Sequence, residues 1–141
     1  MSETKYGKYI ITEMKKPKTE AAWTPVLKPE ESIPMLRLDS TIIKGAFYVE
    51  SAWTLPPFAN ESHGQAHKHD YDEVLAFFGS DPEHPNELNA VAEVHLGDEI
   101  HTITKSCLIF VPKGLSHCPI DFKKIDKPIF HFSCGTSASY I

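Results

Sequence analysis

The segment His67-Lys68-His69-Asp70-Tyr71-Asp72-Glu73 decides how this chain is read. His67, His69 and Glu73 share one parity, so on a regular strand all three project from the same face. On a helix, positions two apart lie on opposite sides and the three could not converge on one ion. The spacing therefore favours a strand-borne site. Two imidazoles and a carboxylate are borderline donors suited to Fe, Mn, Co, Ni, Cu or Zn. Tyr71 has the same parity and either packs beside the site or sits in a bulge.

A second string, Pro112-Lys113-Gly114-Leu115-Ser116-His117, lies further along. Its proline and glycine set a tight turn that returns the chain and aims His117 inward. Between and around the two strings the pattern is that of short strands. Ile42–Trp53 is dense in β-branched and aromatic residues and reads as a strand. A loop follows from Thr54 to Ala66, then an extended run from His67 to Phe78. Leu88–Leu96 alternates with period two, placing Ala90, Ala92, Val94 and Leu96 on one face and Asn89, Glu93 and His95 on the other. Gly97-Asp98 is a hairpin turn with Glu99–Thr104 as partner strand. Cys107–Val111 reads as a short buried strand and Pro128–Cys134 as the last one. No long stretch has helical periodicity and no internal repeat is visible. Many short strands punctuated by Gly and Pro specify an all-β sandwich or barrel, the jelly roll included.

Taken together, H-x-H-x-x-x-E and P-x-G-x-x-H resemble the two signature motifs of the cupin superfamily, over roughly Trp53 to Cys134. The resemblance implies a jelly-roll barrel in which His67, His69, Glu73 and His117 bind one divalent transition metal (Fe, Mn, Ni or Zn). The chain departs from the pattern at its turns: Gly64 lies only three residues before His67, Gly79 closes the first motif one position early, and Ser106 and Asp121 replace a glycine and an asparagine. All four ligand positions match. Residues 1–40 carry none of the resemblance and read as an N-terminal arm or edge strands, leaving 41–141 as a single cupin barrel.

Composition narrows the function. The 141 residues are 41% hydrophobic and 23% charged, as in a folded globular chain. A net charge of −5 argues against a nucleic-acid partner, which needs a clustered basic surface. No apolar run is long enough to cross a bilayer, and the first twenty residues lack the apolar core of a signal peptide, so a cytoplasmic location is expected. Cys107, Cys118 and Cys134 cannot pair completely and read as reduced thiols. Arg37 is the only arginine, which disfavours a multiply phosphorylated substrate.

Three histidines and one carboxylate leave up to two positions of an octahedral ion open to a substrate. The resemblance thus implies a metal-dependent enzyme acting on a small oxygenated molecule: a dioxygenase, isomerase, lyase or decarboxylase. The alternatives are a small-molecule sensor without turnover and a barrel with a structural metal. An acid/base group beside the open positions separates the enzyme from the sensor, and Glu50, Tyr71, Asp121 and His131 are the candidates. Edge strands that must be paired or buried are compatible with a homodimer.

Overall fold

A computed structural model of the chain describes residues 4–15, 31–57, 60–63 (backbone only) and 66–137. The clearest alternation, Leu88 to Leu96, becomes the longest strand, because burying every second side chain fixes both its face and its register. In chain order the strands are β1 Ser32–Leu38, β2 Tyr48–Thr54, β3 Asn60–His63, β4 Glu73–Gly79, β5 Glu87–Leu96, β6 Glu99–Lys105, β7 Cys107–Val111, β8 His117–Ile125 and β9 Ile129–Gly135. Only a 3-10 turn, Gly7–Tyr9, interrupts the β structure among the described residues.

The strands form two antiparallel sheets. The first has five strands in the order β1-β2-β9-β4-β7, the second four in the order β3-β8-β5-β6. Between them lies one apolar core. Leu75, Phe77, Val111 and Ile129 of the first sheet meet Leu88, Ala90, Ala92, Phe122 and Ile125 of the second. The architecture is a jelly-roll-like sandwich. In contrast to the expected barrel, the two sheets are not closed into a cylinder.

Several segments depart from the sequence reading, each for a local reason. Ile42 and Ile43 do not extend β2. Asp39 captures the chain there, its carboxylate accepting from the amide and the hydroxyl of Thr41 and its carbonyl from the amides of Ile42 and Ile43. Four hydrogen bonds to one residue outweigh β-propensity and make a turn. The expected loop from Thr54 to Ala66 contains β3. β8 was hidden because Pro119, Asp121 and the Lys123-Lys124 pair interrupt its apolar pattern, yet it lies between β3 and β5 and is hydrogen-bonded on both sides. β7 is only half buried, since Leu108 and Phe110 point away from the core and are 65% and 61% exposed.

That last feature is part of a larger asymmetry. On the outer face of the first sheet the register places Ile33, Trp53, Phe130 and Phe78 in one row, and Val49, Cys134, Val74 and Phe110 in another. Phe132, Ala76 and Leu108 lie between them. Around β4 and β7 this sheet is apolar on both faces, which is why these two strands read as continuous hydrophobic runs instead of alternating. The second sheet follows the usual rule, with Glu93, His95 and Lys123 on its outer face.

Where β4 ends and β5 begins, the backbones approach so closely that only glycine fits. A Cβ added at Gly79 would lie 1.9 Å from the carbonyl oxygen of Glu87. Gly79→Ala is therefore expected to cost about 1–3 kcal/mol through forced backbone displacement. Urea denaturation checks this, and an unchanged midpoint would show that the strand ends can separate freely.

Candidate metal centre

The segment from His67 to Glu73 does not run along one strand. His67 pairs with His117 of β8 through two reciprocal backbone hydrogen bonds, of 3.0 and 2.9 Å. The chain then bends at Asp70 and Tyr71 and enters β4 at Glu73. The stretch thus crosses from the second sheet to the first, and the donors meet between the sheets. Shared strand parity is not what gathers them. Asp72 pins the crossing: its carboxylate accepts from the amide of Lys113 at 3.0 Å and its carbonyl from the amide of Thr136 at 3.2 Å. The carbonyl of His69 accepts from the amide of Gly114 at 2.8 Å, which ties the first motif to the turn of the second.

The ligand atoms of His69, Glu73 and His117 lie within 4.8 Å of one another, and all three residues are buried. Nε2 of His117 is 3.1 Å, and Nε2 of His69 3.9 Å, from the carboxylate of Glu73. The ring of His67 completes the group, 4.6 Å from that of His69 and 4.3 Å from that of His117. All four sequence-derived ligand candidates are therefore brought together.

The surroundings set the protonation of the group. Nδ1 of His117 lies 3.0 Å from the carbonyl of Leu115, so this nitrogen carries the proton and Nε2 presents its lone pair. Nε2 is buried and makes no hydrogen bond, the carboxylate of Glu73 lying off the required direction. A buried acceptor nitrogen left in this way fits a metal ligand. Burial pushes the Glu73 carboxyl up, but the hydroxyl of Tyr48 and the imidazoles of His117 and His69 outweigh it and hold it below its usual value. Burial likewise pulls His117 down, and Glu73 and the Leu115 carbonyl overcompensate, so its affinity for a proton is raised.

Tyr48 is fully buried and donates its hydroxyl to Glu73. Tyr71 stacks on His69 at 4.6 Å and meets Tyr48 edge-on at 5.7 Å. A Cβ at Gly135, which pairs with both Tyr48 and Glu73, would come within 2.5 Å of the Tyr48 ring and 2.8 Å of the Tyr71 ring. The absent side chain is what lets these two rings brace the site.

The other candidates separate clearly. Glu50 is on the inner face, two residues from Tyr48 and opposite Ser133. Its carboxylate is 3.6 Å from Nε of Arg37, and burial, only partly opposed by Arg37, raises its pKa. Asp121 does not reach the site. It pairs with His95 at 3.4 Å, and His95 has the parity of the outer face of β5. His131 is half-buried on the inner face, stacked on Phe77 at 4.5 Å with Nδ1 2.8 Å from the carbonyl of Ala76. Among the aromatic side chains nearby, Phe77 fills the core, whereas Phe78 and Trp53 lie on the outer face.

Arg37 and Asp39 were not singled out as site residues, yet both are buried on the same side of the first sheet. The Arg37 guanidinium pairs with Asp39, and its other terminal nitrogen donates to the carbonyl of Lys15 at 3.2 Å. Burial pushes the Asp39 carboxyl up, but Thr41 and Arg37 outweigh it and leave it lowered. A lone arginine in a lysine-rich chain was the available signal, since a guanidinium tolerates burial better than an ammonium.

No family model matches the chain, and no curated protein does. Among solved structures, the chain is similar to recombinant oxalate oxidase in complex with glycolate, with 11% identity over 94% of this chain and 61% of that one, TM-score 0.53. A second oxalate oxidase structure matches with 13% identity, 92% and 68% coverage and TM-score 0.50. Peruvianin-I from Thevetia peruviana latex, described as a cysteine peptidase, matches with 10% identity, 82% and 68% coverage and TM-score 0.51. The chain spans 40, 54 and 61% of the length of three of the structures it matches. The oxalate oxidases are cupin-type structures, and at the level of the fold the chain is of that type. An oxidase and a peptidase on one scaffold show that the fold does not choose the chemistry.

Burial pulls the His131 pKa down, more than its carbonyl partner and Glu73 raise it. A histidine depressed in the folded state contributes stability above its unfolded value and loses it as pH falls below about 6.5, where the unfolded chain takes up the proton. His131→Phe should therefore flatten the loss of stability between about pH 7 and 5, measured as the urea midpoint of metal-free protein. Parallel pH profiles for parent and variant would show that His131 is not buried as a neutral ring.

Proposed function

We propose that this chain is a metal-dependent cupin enzyme acting on a small oxygenated molecule, with the metal held by His67, His69, Glu73 and His117. The observation that carries the reading is the buried convergence of His69, Glu73 and His117, with His67 packed against two of them. Three imidazoles and one carboxylate suit iron, manganese, nickel or zinc. When bound, such an ion polarises a substrate oxygen or activates water at its open positions.

The chain's own residues define what reaches those positions. Tyr48 fixes one oxygen of Glu73, and Tyr71 holds the ring of His69 by stacking. Glu50 is the acid/base group of this reading, because it is on the inner face near Glu73 and its side chain retains 35% exposure. Arg37 is already engaged by Asp39 and the Lys15 carbonyl, so it does not serve as a second anchor for an incoming anion. One metal and no free guanidinium favour a monoacid, hydroxy acid, diketone or phenol over a multiply charged substrate. Oxalate oxidase, to which the chain is structurally similar, is described in complex with glycolate, a small hydroxy acid, and this supports the same class here.

Elemental analysis of untagged protein is the test. The parent should hold near-stoichiometric metal and the His67→Ala/His117→Ala variant should lose it. Failure of the parent to hold iron, manganese, nickel or zinc after reconstitution would remove the metal-dependent reading.

The same reading includes a homodimer that buries the outer face of the first sheet. Five strands at about 4.8 Å spacing and about 20 Å length give a flat footprint of roughly 500 Å². Side-chain relief enlarges this towards the ~800 Å² per partner of a standard interface. A second copy offers the same apolar surface, as two-fold association requires. Light scattering should give a dimer for the parent and a monomer with retained metal for Leu108→Lys/Phe110→Glu. A monomeric parent at micromolar concentration would dismiss the dimer. No helix of the described residues is long and apolar enough to cross a membrane.

A further inference from the structure

The first residue of β8 is a proposed ligand, and the second breaks the strand pattern. Leu96 pairs with His117 and Val94 with Ile120, so two steps along β5 face three along β8. The extra residue is a bulge, a device that re-aims a side chain. Within it Cys118 adopts φ 71°, in the left-handed region that non-glycine residues seldom occupy. On a flat strand Cys118 would point away from His117. Here its sulfur and one nitrogen each of His67 and His117 lie within 4.8 Å of one another.

We propose that Cys118 is a further metal donor of this centre, forming with His67 and His117 a second set that shares His117 with the His69–Glu73–His117 set. The inference rests on the metal-binding reading above and deepens it. Two observations carry it: the three-donor cluster itself, and Nε2 of the shared His117, a buried nitrogen without a hydrogen bond. His67 is the residue whose place it explains. The mutually close group of buried donors contains His69, Glu73 and His117, whereas His67 groups with Cys118.

A thiolate changes which ions the centre prefers. Oxygen and nitrogen donors alone accept manganese or iron readily, while sulfur shifts preference towards zinc, cobalt, nickel or copper. Coordination forms a metal–sulfur bond as the S–H bond breaks, and the proton leaves to water.

Cobalt(II) makes this visible. Protein reconstituted with cobalt under nitrogen, freed of excess ion and assayed for cobalt, should show the near-ultraviolet sulfur-to-cobalt charge-transfer band. Cys118→Ser should lose the band while keeping its cobalt, and Cys107→Ser and Cys134→Ser should keep both. Bound cobalt without the band in the parent would overturn the Cys118 assignment and leave the histidine–glutamate centre standing. A band that survives Cys118→Ser would overturn it equally. A parent that takes up no cobalt would overturn both readings.

Discussion

The candidate centre depends on one short backbone contact, the reciprocal pair of hydrogen bonds between His67 and His117. It fastens the segment that leads into β4 onto the start of β8, a strand of the opposite sheet. Without it the first motif would belong to one layer and the second to another, with the apolar core between them. A backbone bridge is well suited to this task because it uses no side-chain atom of either histidine. The Asp72 contacts to Lys113 and Thr136, and the Gly114–His69 hydrogen bond, then fix the angle at which the chain crosses. Three polypeptide segments distant in sequence thus meet at one edge of the sandwich, and the donors they carry are held by main-chain geometry.

Around this junction the protein buries polar groups that an apolar interior disfavours, and each has a specific compensation. Glu73 is relieved by Tyr48 and by the neighbouring imidazoles, and Asp39 by Thr41 and Arg37. The Glu73–His117 pair is the most telling. The carboxylate raises the imidazole's hold on a proton, and the imidazole keeps the carboxylate ionised. A proton and a divalent ion therefore compete for this pair. Metal binding and proton release are coupled at such a site.

Much of this was legible in the sequence, and the missing parts share a physical cause. The alternation of Leu88–Leu96 specified β5, and the donor spacing named four residues that the fold does assemble. The parity argument for His67, His69 and Glu73 assumed one continuous strand, whereas the chain bends at Asp70 and Tyr71 and the three side chains are gathered from two sheets. Residues whose role depends on register stayed hidden. Tyr48 matters because it pairs with Gly135, which pairs with Glu73, and no local pattern reveals a three-strand row. Asp121 failed as a site candidate for the converse reason: the bulge at the start of β8 shifts every later side chain relative to His117, sending Asp121 outward to His95.

The two sheets also divide the labour of the fold. The second sheet is an ordinary half-solvated sheet, with Glu93, His95 and Lys123 on its outer face. The first is apolar on its outer face, while its inner face is apolar at β4 and β7 but carries the Tyr48–Glu73 and Arg37–Glu50 rows. Polar groups on that inner face are tolerable only where strand order is rigidly fixed, because a one-residue slip would exchange them with Phe78, Phe132 or Val74 of the outer face. The close approach at Gly79, the ring contacts at Gly135 and the turn closed by Asp39 each resist such a slip. The constraints that hold the register of the first sheet are, in consequence, the same ones that hold Glu73 beside His69 and His117 and keep Glu50 on the same inner face.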